Sequence, residues 1–438
     1  YSLATGSKTT SANITPKSIT LSGITADHKT YDGTTSASVS TANAVFNDKV
    51  SGDTLTVTST GTFGDKDVGN NKTVTLSNTL GGTDLRNYTI TEQTTTSANI
   101  SKKNVTLDSI IASNKTYDGS TTATISSGNI GGTVGSETLA ISGSGSFDNK
   151  NAADGKTVTV SDVTTLTQTD GSGLWSNYNL TTTGAQTTTA NISKKSITLS
   201  GITADHKTYD GNTDAVVSVN NAVFTNKVNG DTLTVTSTGT FGDKDVGNSK
   251  TVTLSNTLGG ADLGNYTVTN QTTTTANITK KDVTLSGITA AHKTYDGNNS
   301  ATISAGSISG TVASETLLIS GSGTFDNKDA ANGKTVTVSD VTTLTKADGT
   351  GSWSNYNLTT TGAQTTTANI TKKEVTLDSI TAAHKTYNGN TTATITSGSI
   401  SGTVGSETLA ISGSGSFDNK NVANNRTVTV ADATTLTQ

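Results

Sequence analysis

The sequence contains no cysteine and no methionine, and it has a single proline. Without cysteine, disulfide bonds, thiolate metal sites and thiol nucleophiles are all excluded. No apolar run approaches the roughly 20 residues that a transmembrane helix needs. Charged residues make up 14% of the chain and the net charge is −5, so no basic stripe is available for a phosphate backbone. These absences argue against a membrane-spanning protein and against nucleic acid as a partner.

Apolar and aromatic side chains are also scarce. Hydrophobic residues make up 30% of the chain and aromatic residues 4%, so each folding unit can bury only a thin core. We expect neighbouring units to lend each other stability where they meet. A large buried active site is not expected, which predicts a protein that is not an enzyme and binds no cofactor or metal.

A tetrapeptide, Thr-Tyr-Asp-Gly, returns along the chain and divides it into repeats. Its tyrosines are 86, 92, 86 and 92 residues apart, so two module types alternate. A solenoid rung takes about 20 to 50 residues and a small sandwich roughly 100, so this spacing favours a string of globular modules. The motif residues are Tyr31, Asp32 and Gly33; Tyr117, Asp118 and Gly119; Tyr209, Asp210 and Gly211; Tyr295, Asp296 and Gly297; and Tyr387, Asn388 and Gly389.

The repeats predict the domain boundaries. Residues 1–17 resemble the end of a module, and the predicted modules are residues 18–103 (short), 104–195 (long), 196–281 (short), 282–373 (long) and 374–438 (long, incomplete). No proline or glycine-serine tract separates them, so we expect stiff junctions. The long modules carry six extra residues before an Asn-Tyr pair, and both tryptophans of the chain lie in these insertions.

Alternation of apolar and hydroxyl residues with period two marks the strands, and helical periodicity appears nowhere. In the first module it predicts seven strands, which suits an antiparallel sandwich. They lie near residues 19–21, 37–39, 44–46, 55–58, 74–76, 88–90 and 96–100. Threonine is the commonest filler because its branched β-carbon fits a pleated sheet while its hydroxyl faces water. The predicted fold is therefore an all-β tandem array that forms an elongated rod.

The Tyr-Asp-Gly motif has two interpretations, a ligand-contacting loop and a tight turn. Aspartate-glycine is a favoured turn pair in which glycine takes a positive φ, and the tyrosine would pack over a sheet edge. The structural interpretation is favoured because Asn388 replaces the aspartate in the last module, which keeps the turn but would abolish a catalytic carboxylate. Similarly, four histidines share one module position that Asn114 occupies in another, which argues against a general base or a zinc ligand.

Two further segments suggest ligands. The run Gly64 to Asn70 resembles a calcium loop in its closely spaced oxygens, but a lysine interrupts it and no bidentate glutamate follows, so a plain turn is favoured. The tryptophan loops offer a carbohydrate-stacking surface, with surface glycans as the partner; the alternative is a lid over the sandwich end. The candidate contacts are Trp175, Tyr178, Trp353 and Tyr356.

Three recurring stretches resemble a known family. Ile-Thr-Ala-Asp-His-Lys-Thr-Tyr-Asp-Gly, then Gly-Thr-Phe-Gly-Asp-Lys-Asp-Val-Gly, then Asn-Tyr-Thr followed by Thr-Thr-Ala-Asn-Ile are similar to YDG-type, mostly bacterial Ig-like repeats. Such repeats occur in surface adhesins that resemble filamentous haemagglutinin and leave the cell by two-partner secretion. The resemblance implies Ig-like modules in an extracellular stalk or filament on a bacterial surface, with an outer-membrane transporter as partner during export. Neighbouring modules, or copies of the chain in a fibre, would be its other partners.

The ends of the sequence carry a last expectation. Residues 1–17 resemble the segment that the incomplete final module lacks, and no initiator methionine is present. Either the sequence is an excerpt of a longer polypeptide, or the amino-terminal strand of one subunit completes the last module of another. We expect the excerpt, because strand exchange supplies no replacement for the packing of the tryptophan loop.

Overall fold

A computed structural model describes all 438 residues and contains β-strands and short 3-10 turns, with no α-helix. The predicted all-β array of tandem sandwich-like modules is confirmed. No helix in the structure has the length and apolar character needed to cross a bilayer. The 3-10 turns are Leu85–Asn87, Val163–Thr165, Trp175–Asn177, Leu263–Asn265, Val341–Thr343, Trp353–Asn355 and Ala433–Thr435.

The first module contains ten strands: β1 (Lys17–Ser22), β2 (Thr25–Ala26), β3 (Lys29–Thr30), β4 (Ser36–Ala37), β5 (Val39–Ser40), β6 (Val45–Asn47), β7 (Thr56–Phe63), β8 (Gly69–Gly81), β9 (Tyr88–Thr91) and β10 (Thr95–Ser101). They form a three-stranded sheet in the order β6-β1-β9, a five-stranded sheet in the order β3-β10-β8-β7-β4 and the pair β2-β5. Alternate residues of β1 and β8 are buried, as period two requires. Six of the seven predicted strands are present, whereas the one predicted at residues 37–39 is divided at Ser38 into β4 and β5, which belong to different sheets. The missed strands, β2 and β3, are two-residue pairings too short to show a period.

The sheets are mixed, which corrects the expectation of a purely antiparallel sandwich. β1 pairs with β9 in parallel, and so does β3 with β10. Parallel neighbours need a crossover connection. This chain provides one because it changes sheets between β1 and β3 and again between β9 and β10.

The second module has eight strands: β11 (Lys103–Ala112), β12 (Lys115–Thr116), β13 (Thr122–Gly131), β14 (Leu139–Phe147), β15 (Ala153–Val160), β16 (Thr167–Asp170), β17 (Tyr178–Leu180) and β18 (Gln186–Ser193). Seven of them form one path, β12-β18-β15-β14-β13-β11-β17, and β16 pairs with β14. The path is continuous because β13 is ten residues long and pairs with both β11 and β14. Only Lys102 separates β10 of the first module from β11.

The third and fourth modules repeat these two patterns. The third has β19 (Lys195–Ser200), β20 (Thr203–Ala204), β21 (Lys207–Thr208), β22 (Asp214–Ala215), β23 (Val217–Ser218), β24 (Val223–Thr225), β25 (Thr234–Phe241), β26 (Gly247–Gly259), β27 (Tyr266–Thr269) and β28 (Thr273–Thr279). The fourth has β29 (Lys281–Ala290), β30 (Lys293–Thr294), β31 (Ser300–Ser309), β32 (Leu317–Phe325), β33 (Ala331–Val338), β34 (Thr345–Asp348), β35 (Tyr356–Leu358) and β36 (Gln364–Thr371). The fifth has β37 (Thr376–Ala382), β38 (Thr392–Ser401), β39 (Gly413–Phe417) and β40 (Val428–Thr429).

The chain divides into two compact units. The first consists of Tyr1–Leu199, Val223–Thr234 and Leu258–Asn270, and the second of Ser200–Ala222, Val235–Thr257 and Gln271–Gln438. In the first unit, one connected cluster of buried apolar residues extends from Leu21 in the first module to Tyr266 in the third. The thin cores of neighbouring modules are therefore continuous within this unit.

Candidate functional site: the tyrosine joints between modules

The Asp-Gly half of the motif forms a local turn that the aspartate side chain closes. Asp32 Oδ1 accepts hydrogen bonds from the Thr34 amide at 2.9 Å and from Lys29 Nζ at 2.7 Å. Burial acts to raise the pKa of the Asp32 carboxyl, but these hydrogen bonds outweigh it and hold the pKa below its ordinary value. Gly33 has a φ of 78°, in the left-handed region that favours glycine.

The fifth module shows that this turn does not need a carboxylate. Asn388 Oδ1 accepts from Lys385 Nζ at 3.0 Å and from the Asn390 amide at 3.3 Å, in the same pattern. Gly389 has a φ of 79°. The amide oxygen of asparagine therefore replaces the aspartate, as the substitution in the sequence indicated.

The tyrosine half of the motif contacts the next module, whereas the sequence predicted only that it packs over a sheet edge. The Tyr31 hydroxyl donates to Glu137 Oε1 at 2.7 Å, and only 2% of the residue is exposed. Its ring meets that of Tyr178 edge to face, with centroids 5.4 Å apart. Such aromatic pairs add about 0.5–1.5 kcal/mol beyond the area they bury. The motif is thus a contact between modules as well as a turn.

Glu137 receives three donors. Besides Tyr31, the Tyr178 hydroxyl donates to its Oε2 at 2.5 Å, and Lys66 Nζ lies 2.8 Å from its Oε1. Burial acts to raise the pKa of Glu137, and the three hydrogen bonds outweigh it and lower the pKa. Burial and the bond to Glu137 raise the pKa of Tyr178 to about 12. We call this contact of Tyr31 and Lys66 with Glu137 and Tyr178 a tyrosine joint. Near neutral pH it holds a charged carboxylate between two neutral hydroxyls and one lysine.

The glycine of the motif has a second role at this joint. A β-carbon on Gly33 would lie 2.8 Å from Cγ1 of Val134, closer than real β-carbons approach. Val134 begins the turn that ends at Glu137, and its amide donates to the Tyr178 hydroxyl at 3.0 Å. Glycine therefore both permits the turn and admits a side chain of the next module.

The supposed calcium loop also belongs to the joint. The Val68 amide donates to Asn177 Oδ1 at 2.9 Å, and Asn177 Nδ2 donates to Asp67 Oδ1 at 2.8 Å. Asn177 is 1% exposed. Asp65, the first carboxylate of the loop, accepts from the Asp67 amide and from Lys72 Nζ. The oxygens that suggested a cation site are thus bonded to protein donors, as the turn interpretation expects.

Each joint is accordingly formed by one set of residues from each of the two modules that meet there. We call the Tyr-Asp-Gly turn together with the Lys-x-Val or Lys-x-Ala loop the tyrosine face. The Val-x-x-Asp or Val-x-x-Glu turn together with the Asn-Tyr pair is the carboxylate face of the next module. Sequence reasoning missed the acid, the lysine and the asparagine as a group, although all three recur at fixed positions in the repeat. Because the three residues recur together in the repeat, the sequence could have indicated that they belong to one site.

Three more joints repeat the arrangement. In the first unit, Tyr117 and Tyr266 donate to Asp231 Oδ2 at 2.8 and 2.5 Å, and Lys150 lies 2.9 Å from its Oδ1. In the second unit, Glu315 takes the same role for Tyr209, Tyr356 and Lys244, and Glu407 does so for Tyr295 and Lys328. The motif tyrosine of the fifth module, Tyr387, has no module after it within these 438 residues and is 56% exposed.

The shared histidine position serves a backbone contact. His28 Nδ1 accepts from the Asn99 amide at 2.9 Å. In the second module, Asn114 Oδ1 accepts from the Asn191 amide at 2.7 Å. Histidine and asparagine are interchangeable here because each provides one acceptor atom at the same place.

The tryptophan loops fold back onto their own modules. Trp175 is 8% exposed, and its Nε1 donates to the carbonyls of Thr169 and Ala140 at 2.9 and 3.1 Å. Trp353 is half-buried, and Lys346 Nζ lies 5.1 Å from its ring centroid. Of the four residues proposed to contact a sugar, Tyr178 and Tyr356 are only 2% exposed. Carbohydrate stacking stays a prediction, and Trp353 is the ring best placed to test it.

Comparison with known proteins decides the family. The model of the YDG domain matches residues 15–97, 101–189, 193–275, 279–367 and 371–438. The chain belongs to the YDG-domain family. No curated protein shows a match to it. Among solved structures it is similar to Drosophila N-cadherin EC1-4, with 10% identity over 80% of this chain and 99% of that one, at a TM-score of 0.21.

The family assignment confirms that the resemblance to YDG-type repeats covers five tandem copies. Each YDG domain contains the residues of both faces in one match, except the fifth, which has no Asn-Tyr pair within the chain. In this protein, the tyrosine and glycine of the Tyr-Asp-Gly motif contact the next domain. The link to secreted adhesins stays a prediction.

Proposed function

We propose that these YDG domains form a structural repeat region, a stalk or filament, of a bacterial extracellular adhesin, and that the region is not catalytic. The observation that supports this function best is the repeated joint. Four successive junctions use the same tyrosine, carboxylate and lysine. The recurring residues of this protein make contacts between modules, which is more typical of a structural spacer than of an enzyme with a substrate pocket.

Two connections act at the first three of these junctions. The first is covalent and short, since single lysines, Lys102, Lys194 and Lys280, separate the last strand of one module from the first strand of the next. The second is the tyrosine joint, which lies apart from that connection in sequence. Two separate attachments restrict bending at a junction more than one flexible linker does. Restricted bending suits a stalk that holds another part of the adhesin away from the cell surface.

The chemistry of the joints supports the absence of catalysis. The carboxylates with the lowest exposure there, such as Asp231 at 6%, are bound by tyrosine hydroxyls and a lysine, which lower the pKa against the effect of burial. A general acid or base near neutral pH needs the opposite shift, toward 7. Export by two-partner secretion and location at the cell surface belong to this proposal, on the strength of the resemblance.

Location and binding can be tested together. An antibody raised against the 438-residue chain should label intact cells that produce the protein, and external protease should remove the signal. The purified chain should bind no glycan in a saturable way. Labelling that appears only after the envelope is permeabilised would contradict the proposed location. Saturable glycan binding that is lost on Trp175→Ala plus Trp353→Ala would favour the alternative, in which the tryptophan loops are adhesive.

A further inference from the structure

The first two joints each contain a second carboxylate, but it lies on a different face in each joint. At the joint between the first and second modules it is Asp67, on the tyrosine face beside Lys66, and it accepts from Asn177 Nδ2 at 2.8 Å. The carboxylate face there contributes Glu137 alone. In the second module, Ser172 takes the place that Asp262 has in the third module. Its Oγ accepts a hydrogen bond from the Thr138 amide at 2.8 Å.

The joint between the second and third modules has the reverse arrangement. Both carboxylates belong to the carboxylate face, because Lys150 Nζ lies 2.9 Å from Asp231 and 3.2 Å from Asp262. Asp262 is held there by the Thr232 amide, which donates to its Oδ2 at 2.9 Å. On the tyrosine face, the residue after the lysine is the neutral Asn151. Each of these two joints therefore contains two carboxylates and one lysine.

Module length does not explain the difference on the tyrosine face. The second and fourth modules are both long, yet the residue after the lysine is Asn151 in one and Asp329 in the other. What differs is the module that follows. Asn151 faces the Asp231 type of carboxylate face, whereas Asp329 precedes a module whose turn carries Glu407. Asp245, in the short third module, also faces a glutamate type, with Asn355 Nδ2 donating to it at 2.8 Å.

We propose that the residue after the joint lysine selects which type of YDG module docks next. Aspartate fits a carboxylate face with glutamate and a neutral hydroxyl, and asparagine fits a face with two aspartates. The partner is another YDG module, in the same chain or a second one. The physical reason is negative selection by charge, because aspartate against a two-aspartate face would set three carboxylates against a single lysine.

The test is a single substitution, Asn151→Asp, in the full 438-residue chain. The readout is hydrogen exchange of the Ala152 amide, which donates across the joint to Asn265 Oδ1 at 2.9 Å. At low ionic strength, once the intrinsic effect of the new neighbour on the amide is subtracted, we expect exchange about threefold to fivefold faster, the size typical of partly exposed charge pairs. The increase should shrink in 0.5 M salt, where such interactions are screened.

Two further variants make the outcome decisive. Asn421→Asp places the same change in the fifth module, after which the 438 residues contain no further module, and the Val422 amide should exchange at the wild-type rate once the intrinsic effect of the new neighbour is subtracted. Asn151→Asp with Asp262→Asn restores two carboxylates and should return the Ala152 rate to near wild type. Unchanged exchange in Asn151→Asp, equal acceleration in Asn421→Asp, or no rescue by the double variant would each overturn the proposal. None of these results depends on where the protein is located. The proposed surface function is therefore tested separately, by the labelling of intact cells.

Discussion

Replacing Tyr117 by phenylalanine tests the tyrosine joint at its most buried copy. The substitution removes a hydroxyl that donates to Asp231 Oδ2 at 2.8 Å. It leaves the ring, whose centroid lies 5.4 Å from that of Tyr266. The side chain of Asp231 is 2% exposed, so water cannot readily supply the lost hydrogen bond. Two donors remain on the carboxylate, Tyr266 at 2.5 Å and Lys150 at 2.9 Å.

These contacts set the expected size of the effect. A hydrogen bond to a charged group contributes about 1.5–3 kcal/mol, and a carboxylate that keeps two other donors should lie in the lower half of that range. We therefore expect the joint to lose about 2 kcal/mol, which corresponds to a roughly 30-fold rise in the population of its open form. Because a chain of several modules need not unfold in two states, a single melting temperature would not measure this quantity.

Amide exchange provides a local assay. The Val228 amide donates to the Tyr266 hydroxyl at 2.9 Å within the joint, and its exchange rate should rise with the open population. Tyr387→Phe is the matched control, since its tyrosine is 56% exposed and should tolerate the loss of the hydroxyl. If Tyr117→Phe leaves the Val228 rate unchanged, or if both variants destabilise their own modules equally, the hydroxyl does not hold the joint and the reasoning fails.

Three other predictions follow from the same geometry. Gly33→Ala should lower the local free energy of unfolding, measured by amide exchange, by about 1–3 kcal/mol more than Gly389→Ala does, because both positions have a φ near 80° but only the first meets a valine at 2.8 Å; equal losses would assign the whole effect to backbone strain. Ala313→Gly should stabilise the fourth module by about 1 kcal/mol in urea unfolding, since its φ is 47° and a β-carbon disfavours that region; a loss of stability would contradict this. The pKa of Glu137 is lowered in the fold, so its contribution is present above the unfolded value of 4.5 and is lost as pH falls through the folded pKa. The pKa of Tyr178 is raised to about 12, so its contribution is complete below pH 10 and is lost between pH 10 and 12. If the protection of joint amides, relative to their intrinsic exchange rate at each pH, stays flat across both windows, these groups do not couple to the joint.

The sequence alone determined the repeating unit and most of its strands. The spacing of the motif tyrosines fixed the module lengths, and period two located β1, β7, β8 and β10 because one face of each strand is buried. The Asp-Gly turn could also be predicted from the sequence, because the positive φ of Gly33 and the hydrogen bond to the Asp32 side chain involve only a few neighbouring residues. Interactions of this range leave a local pattern that can be read directly.

Only the tertiary structure decided what the motif tyrosine contacts. Tyr31 and Glu137 are 106 residues apart, and neither lies in a periodic run that could announce the other. From the sequence we therefore expected the tyrosine to pack over a sheet edge and the loop around Lys66 to be a plain turn. Parallel pairing of β1 with β9 was hidden for the same reason, because a crossover between sheets has no signature in either strand. Contacts between separate turns depend on how whole modules dock, and docking is set by the assembled surfaces of both faces.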